Sequence, residues 1–69
     1  MLFTDLSSDR LVRALKKAGF SVISEAKHIG MSDGIYRVTI PRHARLNPYT
    51  VKGIIKSAKL TESEFRELL

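Results

Sequence analysis

Apolar positions along the chain switch period several times, and the switches mark the elements. From about Ser8 to Ala18, Leu11, Ala14, Leu15 and Ala18 recur at helical spacing, with Val12 widening the stripe. Ser7 or Ser8 is placed to cap that helix, Asp9 suits its positive end, and Lys16 and Lys17 suit the other. Gly19 is placed for the left-handed turn that closes it. Phe20 to Ser24 then reads as a short strand and Ala26 to Met31 as a second, with Glu25 near the turn between them. Ser32-Asp33-Gly34 makes a hairpin connection. Ile35 to Ile40 is the clearest strand: Tyr36, Val38 and Ile40 alternate with Ile35, Arg37 and Thr39, which assigns Tyr36 to the core side. Pro41 should end it.

After the loop Arg42-His43-Ala44-Arg45-Leu46, Asn47 and Pro48 are an N-cap and a first helical residue. Val51, Ile54, Ile55 and Ala58 form the buried stripe of the helix they open, with Lys52, Lys56 and Lys59 on a different face. Gly53 costs that helix about 1 kcal/mol against alanine; it either permits close packing on the sheet or does nothing. Thr61-Glu62-Ser63-Glu64 has capping-box spacing and opens a last turn in which Phe65, Leu68 and Leu69 cover an edge of the core. Phe3 and Phe20 are also assigned to the core, and Tyr49 to the entry of the second helix or an interface. The predicted fold is α+β: a three-stranded antiparallel sheet with both main helices on one face and the other face open.

At 69 residues the chain is expected to be one domain, residues 1–69, with a thin core. It has no cysteine and two histidines, which disfavours disulfides and a structural zinc site. No apolar run approaches a membrane span, and the N-terminus lacks a signal-peptide pattern, so a cytoplasmic location is expected. No Gly-rich nucleotide loop, paired metal-binding carboxylates or HExxH sequence is present, which disfavours ATP use and metal hydrolysis; no cofactor is expected.

Charge changes the picture. The net charge is +5, and 11 of the 12 Lys and Arg residues lie between Arg10 and Lys59, where Glu25 and Asp33 are the acids. A basic middle on so small a chain suits a polyanion, nucleic acid first and an acidic protein next.

His28 is the residue best placed for chemistry. If Ile29 and Met31 point inward, alternation sends His28 to the open face. A histidine there can take the proton of an RNA 2′-hydroxyl, which then attacks the adjacent phosphorus, with cations holding the phosphate. Lys27 is adjacent, and Arg37, Arg42 and Arg45 are further candidates. The plain alternative is a surface histidine. His43 is either part of a phosphate-binding loop, as a second proton-transfer group, or a residue of a basic loop that caps the following element. Lys52, Lys56 and Lys59 are either an RNA-backbone stripe or a solvated face.

These pieces together resemble the HicA (YcfA-like) toxins of toxin–antitoxin systems. Leu11-Val12-Arg13-Ala14-Leu15-Lys16-Lys17-Ala18-Gly19-Phe20, His28, Asp33-Gly34 and Val38-Thr39-Ile40-Pro41-Arg42-His43 carry the resemblance. Leu46-Asn47-Pro48-Tyr49-Thr50-Val51, Ile54-Ile55-Lys56 and Ala58 continue it in register. The resemblance implies a double-stranded-RNA-binding-domain-like fold and a ribonuclease acting on mRNA, neutralised by a HicB-type antitoxin that covers the active site. It puts the catalytic role on His28; Lys27 and His43 are accessory candidates from the residues themselves. Arg37, Arg42, Arg45, Lys52, Lys56 and Lys59 are the RNA-binding candidates. One departure stands out: Ala26-Lys27 precedes His28 where the family has Gly-Ser, so a weak or inactive RNA-binding or antitoxin-binding module is the alternative. A self-association or antitoxin surface that uses a sheet edge or the last turn is also expected.

Overall fold

A computed structural model describes residues 3–69. The elements run α1 (Ser8–Lys17), β1 (Ser21–Glu25), β2 (His28–Ser32), β3 (Arg37–Pro41), α2 (Pro48–Ser57) and α3 (Glu62–Leu68). The strands form one antiparallel sheet in the order β1-β2-β3. This is the predicted helix–sheet–helix architecture, consistent with a double-stranded-RNA-binding-domain-like fold.

The helix ends follow the local chemistry. The Ser7 hydroxyl accepts the Arg10 N–H and caps α1. Asn47 Oδ1 accepts the Tyr49 N–H at 2.8 Å and caps α2, with Pro48 at the first helical position. Thr61 and Glu64 complete a reciprocal capping box on α3. Both longer helices close in the same way. Gly19 N–H donates to the Lys16 carbonyl and Phe20 N–H to that of Leu15; Lys59 N–H donates to Lys56 and Leu60 N–H to Ile55. Gly19 takes the required left-handed φ of 97°, and at the second helix Lys59 takes it at 61°.

Partners across an antiparallel pair share a face. Ile29 with Ile40 and Met31 with Val38 therefore form the inner surface, and all four are buried. Leu11 and Leu15 of α1, Val51 and Ile55 of α2, Leu46 and Phe65 complete the core around them. Phe65 is fully buried and meets the half-buried Phe3 edge-to-face, with ring centroids 5.1 Å apart. Two main-chain bonds tie the N-terminal segment to the loop after β3: Leu46 N–H to the Leu6 carbonyl and Ser8 N–H to the His43 carbonyl.

The strand limits differ from the sequence reading: β1 runs on through Glu25, and β2 begins at His28 instead of Ala26 because the Ala26 N–H bonds the His28 carbonyl and makes a turn of the residues before it. β3 begins at Arg37 because Asp33 Oδ1 accepts the N–H groups of Ile35 (2.9 Å) and Tyr36 (2.7 Å), which turns those residues into a connection. Those two bonds, Tyr36 first, hold the Asp33 carboxyl below its ordinary pKa. Tyr36 is accordingly not a core residue. It lies at the rim, 38% exposed, with the Lys59 ammonium 5.7 Å from its ring centroid. β1 carries a bulge: Val22 pairs with Met31 and Ser24 with Gly30, leaving Ile23 as the extra residue. Phe20 precedes the strand yet is buried. Gly53 makes no close approach to the sheet, because an added Cβ there would meet nothing within 4 Å.

Candidate functional site

The open sheet face takes its residues from the pairing opposite to the core. His28 pairs with Pro41, Gly30 with Thr39 and Ser32 with Arg37, and Ser24 lies beside Gly30 from β1. Apart from His28, Arg37 and the exposed Ile23 of the β1 bulge, this face is built of small side chains. Gly30 is buried beneath its neighbours: a Cβ there would come within 3.3 Å of Ser24 Cβ and 3.6 Å of Ile23 Cγ1. The β1 bulge therefore flanks the space beside His28 along β2, and a Cβ at position 30 would need Ser24 to give by a few tenths of an ångström while making an ordinary contact with Ile23.

His28 is the first residue of β2 and is exposed on this face, as alternation predicts. Its main-chain carbonyl accepts the Ala26 N–H at 3.2 Å, which closes the β1–β2 turn around Lys27. Arg42, just past the end of β3, donates Nε to the Ala26 carbonyl at 3.0 Å. The bond runs from the strand on one side of β2 to the turn on the other, so the guanidinium spans the end of β2 where His28 sits. One of its five N–H groups is committed, and the planar fork keeps the rest for an anion. Lys27 and His28 are exposed in the same turn.

Ala26 keeps φ negative, since Asp5 and Lys59 are the described non-glycine residues with positive φ. The turn before the histidine therefore needs no glycine, and alanine fits it without strain. Lys27 in the next position brings an exposed cation beside the histidine.

The remaining candidates are dispersed. His43 anchors the loop through its backbone: its carbonyl accepts the N–H (3.0 Å) and hydroxyl (3.2 Å) of the buried Ser8, while its side chain is exposed. The element it secures is α1, not the helix that follows, which Asn47 caps. Arg45 pairs with Asp5 at 3.0 Å; both are exposed, so the pair is weak and exchangeable. Arg37 lies four residues along β3 from Pro41, about 13 Å at the usual rise per residue, and so stands at the opposite end of the sheet from His28. Lys52 and Lys56 are exposed on α2. Lys59 does not continue their stripe, because the helix has ended at Ser57 and Lys59 folds toward Tyr36.

Two features escaped the sequence reading. The Arg42–Ala26 bond joins positions sixteen residues apart, and no local pattern announces it. A basic recess of about 200 Å³ is lined by Arg10, Arg13 and Lys17 of α1 with Leu68 and Leu69. Helical spacing of the three cations could have flagged it.

Comparison with known proteins gives one family. The family model described as the HicA toxin of bacterial toxin–antitoxin systems matches residues 8–60, from the first residue of α1 to just before α3. No curated protein and no solved structure matches significantly. That match covers most of the sequence and takes in His28, the turn before it and Arg42: the chain belongs to the HicA toxin family of bacterial toxin–antitoxin systems.

Proposed function

We propose that the chain is a metal-independent endoribonuclease, an mRNA interferase, with His28 as the proton-transferring residue. The observation that carries this reading is an exposed histidine on the open sheet face, beside an arginine tethered across the same strand end, in a chain of a toxin family.

His28 takes the proton of the 2′-hydroxyl as O2′ bonds to the adjacent phosphorus. The P–O5′ bond breaks, and the imidazolium returns the proton to the leaving oxygen. The products are a 2′,3′-cyclic phosphate and a 5′-hydroxyl. Arg42 and Lys27 hold the phosphate as charge gathers on its oxygens. His43 is an accessory candidate on the adjoining loop. Arg37, Arg45, Lys52, Lys56 and Lys59 contribute sequence-independent attraction for the RNA backbone. Residues 1–69 act as one toxin domain in the cytoplasm, and a HicB-type antitoxin neutralises it.

A second reading has its own support. Lys27 stands beside the histidine where the resemblance implies a serine, and a long cation there suits binding as well as cleavage. On that reading the chain is a weak or inactive module that binds RNA and antitoxin. Purified protein incubated with RNA in EDTA separates the two. Scission leaving cyclic-phosphate ends, absent from a folded His28→Ala variant, supports the nuclease. Salt-sensitive binding without scission supports the module.

A further inference from the structure

We propose that a groove between the free edge of β3 and α2 receives an extended acidic segment of the partner protein, which adds a fourth strand to the sheet. The proposal rests on the reading that a HicB-type antitoxin is that partner, and it places a contact away from His28.

The sheet has two outer edges, and they are not equivalent. On β1 the bulge at Ile23 breaks the regular alternation that an incoming strand needs. β3 pairs with β2 through five consecutive residues without a register shift, and its other edge faces no strand among the described residues. An edge of that kind is a template for strand addition. Beside it lies a groove of about 410 Å³, lined by Arg37, Val38 and Thr39 on one wall and Thr50, Gly53 and Ser57 on the other.

Gly53 is the informative residue. It lies inside α2, where glycine weakens a helix, and its φ is not one that calls for glycine. A Cβ there would meet nothing within 4 Å, so internal packing does not require it either. Its effect is to keep that wall of the groove low. Tyr49, one turn earlier on the same helix, next to the groove residue Thr50 and 71% exposed, offers an apolar anchor outside the groove lining.

Charge selects the occupant. Arg37 on the groove wall makes no ion pair with another described residue, and Lys52 and Lys56 stand on the adjoining helix surface. A second copy of this chain would bring another net charge of +5 to the same place. An acidic strand is matched to it.

The experiment measures binding of the HicB-type antitoxin to the parent chain, Gly53→Leu and Arg37→Glu, with melting temperatures and backbone amide exchange for each. Gly53→Leu should raise the melting temperature, because leucine is the better helix former, and should weaken antitoxin binding at least tenfold. RNA cleavage by that variant should stay at the parent level. A folding defect cannot produce this combination. Arg37→Glu should weaken binding in a salt-dependent way, and residues 37–40 of the parent should gain exchange protection in the complex. Parent-level antitoxin binding by Gly53→Leu overturns the groove while leaving the partner in place. Protection of residues 37–40 in the chain alone, with dimeric sedimentation, makes a second copy the occupant and overturns the acidic partner. Absence of antitoxin binding by the parent removes the partner reading and the proposal together.

Discussion

The two ends of the β2–β3 pair use their polar side chains in opposite ways. At the Ser32–Arg37 end the polar groups close a turn. Asp33 takes two amides, the Ser32 hydroxyl accepts the Gly34 N–H at 3.0 Å, and Gly34 adopts φ 96°. At the His28–Pro41 end the fold uses main-chain atoms: the Ala26 and His28 backbones close the turn, and the His43 carbonyl holds α1. One arginine nitrogen joins them, and the side chains of Lys27, His28 and His43 stay exposed. Polar side chains that stability does not consume are the ones free to act on a substrate.

The sharpest way to break this comparison is to exchange the costs. His28→Ala should lower RNA cleavage by about 10²- to 10⁴-fold, the usual worth of a positioned proton-transfer group, with a stability change within about 0.5 kcal/mol. Single-turnover cleavage and thermal melting check both parts.

Arg42 should show a mixed effect, since it serves the turn and, in the proposed function, holds the phosphate. Arg42→Ala should reduce kcat/KM on a short RNA by about 10²-fold, as expected for loss of a charge-stabilising donor. It should also cost about 1 kcal/mol of stability for the bond to Ala26. Arg42→Lys, which keeps the charge without the planar fork, should fall between. Equal activity of all three would remove Arg42 from the site.

The opposite end should respond in stability alone. Gly34→Ala places a Cβ at φ 96° and should cost about 1–2 kcal/mol. For a chain of this size that is a drop in melting temperature of roughly 4–16 °C.

The smallest expected effect is with pH. The Asp33 carboxyl is held below its ordinary value by the Tyr36 and Ile35 amides, and the Glu64 carboxyl by the Thr61 amide and hydroxyl. A lowered folded-state pKa adds stability above the unfolded value of about 4, and that stability is lost as pH falls through the folded value. The melting temperature should decline below about pH 4, with the Ile35, Tyr36 and Thr61 amide resonances moving together. Resonances unchanged down to pH 2 would contradict it.

The helices were legible because their end signals are local. Ser7, Gly19, Asn47-Pro48 and the Thr61/Glu64 box all act within a few residues of themselves. Strand limits were less so, because side-chain competition at Asp33 and the bulge at Ile23 are settled by neighbours. The exposure of His28 followed from alternation, which needs no knowledge of the partner strands. The Arg42–Ala26 tether and the groove beside Gly53 did not follow, since both depend on which elements meet. Lys59 was misplaced for a narrower reason: the helix ends in a left-handed turn at a residue that is not glycine.

The most direct test compares His28→Ala with Gly34→Ala, measuring RNA cleavage in EDTA and thermal stability for both beside the parent. Opposite losses are expected: cleavage at least about 10²-fold lower and melting unchanged in the first, melting lowered and cleavage intact in the second once folded at low temperature. Cleavage at the parent level by a folded His28→Ala protein would contradict it.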